Sequence, residues 1–354
     1  MTHFSGSYLA SDVEFLLQIL TVPTVDIAEK ERLIQTGQKH YSQMLSEEPR
    51  PSPLHQQLYQ QALNQGALRV AQEINALAQT LAKHGYQRQI TLVSFVRAGL
   101  PIAILLKRAL ARHAIEVQHY GISIIRDKGL DHAAMAYILV NHHPDSIFFV
   151  DGWTGKGAIA QELAQSLLAY PLLKNRLITL ADPCGKAWLA ASADDWLIPS
   201  GVLGASISGL VSRSVLTEQG FHGCMLCPHL ADVDVSQEFI EQIDHVAQQT
   251  TIVHNTIAPW TSEQAQQLQQ QSQEVIKQFA RQYQVTNINR IKVGIAEATR
   301  AVMRRVPEKV LVRSYQDPDV ALLLHLAKQT GVEIEEAGHD LGQYRALTLI
   351  RSMR

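Results

Sequence analysis

The chain has 354 residues, 46% hydrophobic and 18% charged, which supports a large buried core and excludes a disordered protein. Its formal net charge of −2 excludes a global field for nucleic acid or membrane, although residues 286–354 carry 11 Lys+Arg against 8 Asp+Glu. The three cysteines, Cys184, Cys224 and Cys227, are too few for a disulfide framework. The first residues lack the pattern of a secretory leader and no apolar run reaches the ~20 residues of a membrane span, so a cytoplasmic location is expected.

In chain order, residues 1–60 read as mixed and mostly helical, broken at Glu48-Pro49-Arg50-Pro51-Ser52-Pro53, where alternate prolines cannot continue a helix. Residues 55–84 place leucine and alanine at helical spacing. The period then changes. Strands are predicted at 90–96, 115–125, 147–150, 176–181 and 196–199, with helices at 102–113, 133–140 and 159–168 between them. Strands alternating with helices predict an α/β fold with a parallel sheet covered on both faces. Residues 246–287 turn glutamine-rich and are expected to form a helical connector. Thr261 or Ser262 would cap its long helix, with Leu268, Val275, Phe279 and Tyr283 at helical spacing. Residues 288–354 alternate strand and helix again, as a small α/β domain.

The stretch Ile147–Leu163 carries the clearest chemistry. An apolar strand ends on Asp151, a loop Gly152-Trp153-Thr154-Gly155-Lys156-Gly157 follows, and a helix resumes at Ala158. In open parallel sheets ligands sit beyond the carboxyl ends of the strands, and a helix N-terminus after a glycine-rich turn favours an anion. A Walker loop is excluded, because only two residues separate Gly152 from Gly155-Lys156 and Gly157 stands where Ser or Thr belongs. A dinucleotide fingerprint lacks its third glycine. A plain strand–turn–helix stays open.

An apolar strand, an acid and a Thr/Gly-rich turn into a helix resemble the diphosphoribosyl-binding loop of type I phosphoribosyltransferases. The resemblance implies a ribose contact at Asp151 and a 5′-phosphate cradle of Thr154, Gly155, Lys156 and Gly157. Gly152 departs from the motif, which usually has a second acid there. Arg97-Ala98-Gly99, after the strand at 90–96, resembles the pyrophosphate loop, with Arg97 as its cation. Arg126 and Asp127 open a charged segment in the place of the flexible catalytic loop. Mg²⁺ is implied as an ion brought in on the donor's phosphates rather than held in a protein cage.

With Ser206-Ile207-Ser208-Gly209-Leu210-Val211-Ser212-Arg213 and the segments at 6–9, 40–42 and 182–200, residues 4–245 resemble a phosphoribosyltransferase-like family of tellurium-resistance and stress operons. That family is also catalogued as cysteine protease StiP. The resemblance implies a domain over 1–245 with a hood from 1–60 and 185–236, in which Ser206, Ser208 and Arg213 are candidate substrate contacts. It also implies transfer of phosphoribosyl from its diphosphate donor to a base-like acceptor, in synthesis of a nucleoside-like metabolite. A non-catalytic, donor-binding regulator of RNA is the first alternative and a cysteine protease the second.

The run His222-Gly223-Cys224-Met225-Leu226-Cys227-Pro228-His229 offers thiols and imidazoles, but four ligands within eight residues are hard to wrap around zinc, and no metal site is expected. Residues 288–354 resemble a Pelota-type RNA-binding domain. Lys292, Gly294, Glu297, Arg300, Arg304 and Arg305 would then fall on a helix start facing RNA.

Overall fold

The computed structural model describes residues 4–250 and 257–352; residues 251–256 of the expected connector lie outside them. The larger unit is built on a six-stranded sheet whose paired neighbours all run parallel. Its strands are β1 (Glu14–Phe15), β2 (Gln89–Phe95), β3 (Glu116–Ile122), β4 (Ile147–Val150), β5 (Leu177–Ala181) and β6 (Leu189–Ser192), in the order β1-β3-β2-β4-β5-β6.

The helices are α1 (Ile27–Gln35), α2 (Pro53–Leu81), α3 (Gly99–Arg112), α4 (His132–Asn141), α5 (Ala158–Leu167) and α6 (Ser236–Gln249). Helices α2, α3 and α6 pack together on one face of the sheet, while α4 and α5 bury Ala134, Met135, Ile138, Leu163 and Leu167 on the other. Strand β2 is buried from Ile90 onward, and each apolar side chain so covered contributes about 1.5–3 kcal/mol. Helix α2 begins where the proline run ends, with Ser52 as N-cap and Pro53 in the first turn, where a missing N–H costs nothing.

The smaller unit has the order β7-β10-β8-β9, from β7 (Ile291–Val293), β8 (Pro307–Val312), β9 (Glu333–Glu336) and β10 (Ala346–Ile350). Helix α7 (Ser262–Gln282) is capped by Thr261, whose side chain accepts from the Gln264 N–H. Its Val275, Ile276 and Phe279 join β7, β10 and Tyr344 in one apolar cluster, so the glutamine-rich helix is packed against this unit and does not stand clear as a spacer. Helices α8 (Ile295–Arg304) and α9 (Ala321–Gln329) pack on each other, and Ile295, Ala298 and Val302 share a core cluster with Leu197, Ile198 and Val202 of the larger unit. The two units therefore meet through an apolar seam.

Three local expectations are corrected. Residues before Ser52 are not mostly helical: α1 is the α-helix there, and Glu14–Phe15 instead forms the sheet edge on β3. No strand runs over 196–199. Trp196, Leu197 and Ile198 are core filling, and the sixth strand is Leu189–Ser192, whose alanines and serine carry little β signature. The predicted strand 115–125 also ends early, at Ile122. Ile124–Ile125 then folds into a separate antiparallel pair with Gly129–Leu130, where tertiary pairing overrides a continuous apolar run.

Candidate functional site

A cavity of about 270 Å³ opens at the carboxyl ends of β2 and β4, with Ile124 beyond β3 and Leu177 at the start of β5 also lining it. The loop 151–157 forms its floor. Asp151 is placed by its backbone, its N–H donating to the Ile178 carbonyl at 3.0 Å, and its Oδ1 accepts the Gly152 N–H at 2.8 Å. Burial pushes the Asp151 carboxyl up to about 7, against the opposing pull of that N–H and of Arg300. Position 152 abuts the neighbouring loop, and a Cβ there would lie 3.0 Å from the Ala98 carbonyl oxygen. Position 155 abuts the smaller unit, where a Cβ would stand 2.9 Å from both the Val293 carbonyl oxygen and the Glu297 side chain.

Thr154 lines the cavity, and its hydroxyl donates to Asp182 Oδ1 at 2.5 Å. Asp182 is fully buried and also accepts from the Lys186 and Ala187 N–H groups and the Trp260 indole, so one carboxylate holds the loop floor, the turn after β5 and the entry to α7. Gly157 is the N-cap of α5 and lines the cavity. Lys156 donates from Nζ to the Ile288 carbonyl at 2.8 Å, and burial with nearby Arg126 pulls its ammonium down to about 8.

The second loop brings Arg97 and Ala98 to the cavity wall; Gly99 begins α3 immediately behind it. The Val96–Arg97 peptide is cis. The Arg97 guanidinium is buried, 3% exposed, and donates to Glu48 Oε1 at 2.8 Å and to the Val211 carbonyl at 3.1 Å. Burial alone would raise the Glu48 carboxyl, but Arg97 and Arg304 hold it far below its ordinary value. Arg126 lines the cavity, with its backbone N–H on the Tyr41 hydroxyl at 2.7 Å. Asp127 does not line it: its side chain is 71% exposed on the tip of the short antiparallel pair.

The opposite wall comes from the smaller unit. Glu297, Arg300 and Arg304 of α8 face the loop, and the Arg300 guanidinium lies 4.4 Å from the centre of the Trp153 ring. Lys292, in the middle of β7, is buried and pulled down to about 7, chiefly by burial. Gly294 caps α8, and Arg305 pairs with the buried Glu31. The residues expected on an RNA face are thus gathered where the two units meet. A contiguous cavity of about 240 Å³ is lined by Lys30, Tyr41, Arg213, Lys292 and Arg305 as well. Arg213 is itself committed to the Tyr41 and Met44 carbonyls. Ser206 lines a different cavity of about 350 Å³, beyond Glu48, and Ser208 donates to the Gly204 carbonyl at 2.9 Å. Neither serine is brought to the loop.

All three cysteines are buried. Burial pushes the Cys224 thiol up to about 12 and Cys227 up to about 11, and among the described residues no thiol has a hydrogen bond to an imidazole. Cys184 sits under the loop, its thiol donating to Thr154 at 3.2 Å. Also among the described residues, no helix is long and apolar enough to cross a membrane, and no three His, Cys, Asp or Glu side chains are grouped to hold a metal.

Sequence reasoning misses Tyr41, Glu48 and Asp182. Glu48 carries no local signal, standing in a proline-rich stretch that reads as linker. Asp182 ends the stretch after a predicted strand, as Asp151 does, and that position is the signal it offers.

A parallel sheet with an acid and a glycine-rich turn at its carboxyl edge, ringed by arginine and lysine, defines an α/β protein with a cationic cavity at the strand ends. The chain belongs to the family described as tellurite-like stress resistance cysteine protease StiP, which it matches over residues 6–244. Residues 270–352 match the PELOTA RNA binding domain. A relative named cysteine protease StiP, from Acinetobacter baylyi (strain ATCC 33305 / BD413 / ADP1), is 47% identical over 369 residues, covering 99% of this chain and 95% of that one. Among solved structures, a hypoxanthine phosphoribosyltransferase of Trypanosoma cruzi with the product IMP aligns over 46% of this chain and 82% of that one, at 13% identity and a TM-score of 0.28. An HGPRT-ase from Leishmania tarentolae with GMP covers 38% and 71%, at 15% identity and a TM-score of 0.25. Scores this low establish no correspondence of residues.

Proposed function

We propose that the protein is a phosphoribosyltransferase-like enzyme that binds a diphosphoribosyl donor at the 151–157 loop and transfers the phosphoribosyl group to a base-like acceptor. One observation supports this above others: the cavity at the strand ends carries five basic side chains, Arg97, Arg126, Lys156, Arg300 and Arg304, against two acids. Such an excess calls for a multiply charged anion.

In this reading Asp151 accepts from the ribose hydroxyls and the backbone N–H groups of the loop approach the 5′-phosphate. The acceptor's bond to C1 replaces the bond from C1 to diphosphate oxygen. The diphosphate leaves with its charge and the acceptor's proton passes to water. Arg97, kept in place by Glu48, and Arg126 meet the charge growing on the leaving group. Asp151 is the residue that would hold a magnesium ion brought in on the diphosphate, and the chemistry such an ion would supply is neutralisation of leaving-group charge.

Calorimetric titration of the diphosphoribosyl donor with Mg²⁺ tests the reading. Wild type should bind and Asp151→Ala should lose most of the affinity; a wild type that does not bind overturns it.

The protease reading rests on the family's description. Thiols pushed far above neutrality and closed to solvent do not form the thiolate that such chemistry needs. Cys224→Ser with Cys227→Ser should leave donor binding unchanged. The RNA-regulator reading rests on the C-terminal match and on Gly152 in place of a second acid; donor turnover without added RNA would count against it.

A further inference from the structure

We propose that the C-terminal unit completes the anion site of the larger unit, with Arg300 and Arg304 of α8 as ligand contacts, and that the ligand is a diphosphate-class anion clamped between the two units. The proposal deepens the donor-binding reading and rests on it for the identity of the ligand, though not for its charge.

Four observations carry it. Arg300 and Arg304 line the same cavity as Asp151, Lys156 and Gly157, from the other side. The Nε of Arg300 and the Nε of Arg126 are buried and have no hydrogen-bond partner among the described residues, and the Nη2 of Arg304 has none either, its nearest carboxylate oxygen being Glu48 Oε2 at 3.7 Å. A buried guanidinium nitrogen without an acceptor is costly, and three arginines lining one cavity offer charge-assisted contacts to an anion with several oxygens. A second cavity, which shares Tyr41, Glu297, Arg300 and Arg304 with the first, adds Lys30 and Lys292, while Arg213 and Arg305 on its wall are already bonded to backbone carbonyls and to Glu31. Finally, the seam is built to hold α8 in place. Asp195 of the larger unit accepts from the Ile295 N–H at 3.0 Å and the Arg345 N–H at 2.8 Å, and Tyr344 donates to the Gly155 carbonyl at 2.9 Å. Close approach at Gly155 leaves no room for a side chain between loop and helix.

A helix docked for RNA would point its arginines to solvent. Here the arginines line a cavity, and burial first, then Arg304 and Arg97, pull the Arg300 guanidinium down against Glu297 and Asp151. The anion supplies what the fold leaves unmatched.

The test titrates inorganic pyrophosphate, and separately the diphosphoribosyl donor with Mg²⁺, into the full chain. Wild type is compared with Arg300→Ala, with Arg300→Ala/Arg304→Ala and with Arg300→Lys. The double variant should lose about tenfold or more in affinity for both ligands, as charge-assisted contacts of this kind do. Arg300→Lys should recover part of the loss. Because Arg300 also lies over Trp153 and beside Glu297, each variant's melting midpoint without ligand is measured too, and affinities are compared at temperatures where every variant is folded. Wild-type affinity for the donor in the double variant overturns the inference and leaves the donor reading standing. Pyrophosphate binding that needs both arginines, with no binding of the donor, overturns the donor reading and leaves the inference standing. Loss of RNA binding in the double variant with pyrophosphate affinity intact also overturns the inference.

Discussion

Asp151 and its lysine neighbours respond to pH in opposite directions. Burial pushes the Asp151 carboxyl up to about 7, so the carboxylate that would meet a ribose or a donor-bound cation forms as pH rises through that value. Lys156, pulled down to about 8, and Lys292, pulled down to about 7, lose charge over the same range. Donor affinity should therefore peak near neutrality, with Asp151→Asn removing the acidic limb and keeping the alkaline one; calorimetry from about pH 5.5 to about pH 9 reads both limbs. Gly152 supports a second expectation. Because a Cβ there points at the Ala98 backbone, Gly152→Asp should not restore a working second acid. It should cost about 1–3 kcal/mol of stability by overpacking, read as a lower melting midpoint with no gain in donor affinity.

Among the elements, α8 depends on a residue far from it in sequence. Asp195 caps its first N–H, and Asp195→Ala should cost about 1–2 kcal/mol, measured by denaturant unfolding. The sign of its pH dependence is fixed by burial, which pushes the carboxyl up to about 7, above the ~3.9 of an unfolded chain. Its protonated form is favoured in the fold, so that contribution is present below pH ~4 and is lost as pH rises through about 7. Asp195→Asn should flatten this slope. The core strands and helices between 89 and 181 are legible in the sequence because each is a local run with its own period, and the 151–157 loop is legible because strand, acid, glycines and helix are contiguous. Leu189–Ser192 is not, since alanine and serine take their strand conformation from β5 alongside. Glu48, Tyr41 and Asp182 act through partners remote in the chain, which no spacing rule reports. Arg300 and Arg304 read in the sequence as an RNA-facing pair, because a basic helix face does not itself distinguish one turned to RNA from one turned toward the larger unit.

For the whole molecule, the seam between the units and the cavity proposed to hold the anion share residues of α8. A ligand that binds there stabilises both at once. At a concentration 100-fold above its dissociation constant it should add about 2.7 kcal/mol, and a calorimetric scan should show the larger unit and the C-terminal unit melting together at the higher temperature. The buried cysteines provide an independent readout. Their alkylation should require opening of the fold, so pyrophosphate should slow the labelling of Cys184 beneath the loop.

Glu297 gives this seam a threshold. Burial alone would raise its carboxyl, yet Lys292, Arg126, Arg300 and Lys156 together hold it below its ordinary value, so the protein carries its own counter-ion within the ring of cations. An incoming anion has to outbid that internal charge. A singly bound sulfate or phosphate offers little more than the carboxylate already supplies, whereas a diphosphate spans cations that one carboxylate cannot reach. For the proposed ligand the glutamate is then a competitor, and Glu297→Gln should bind inorganic phosphate more tightly than wild type does, read by calorimetry.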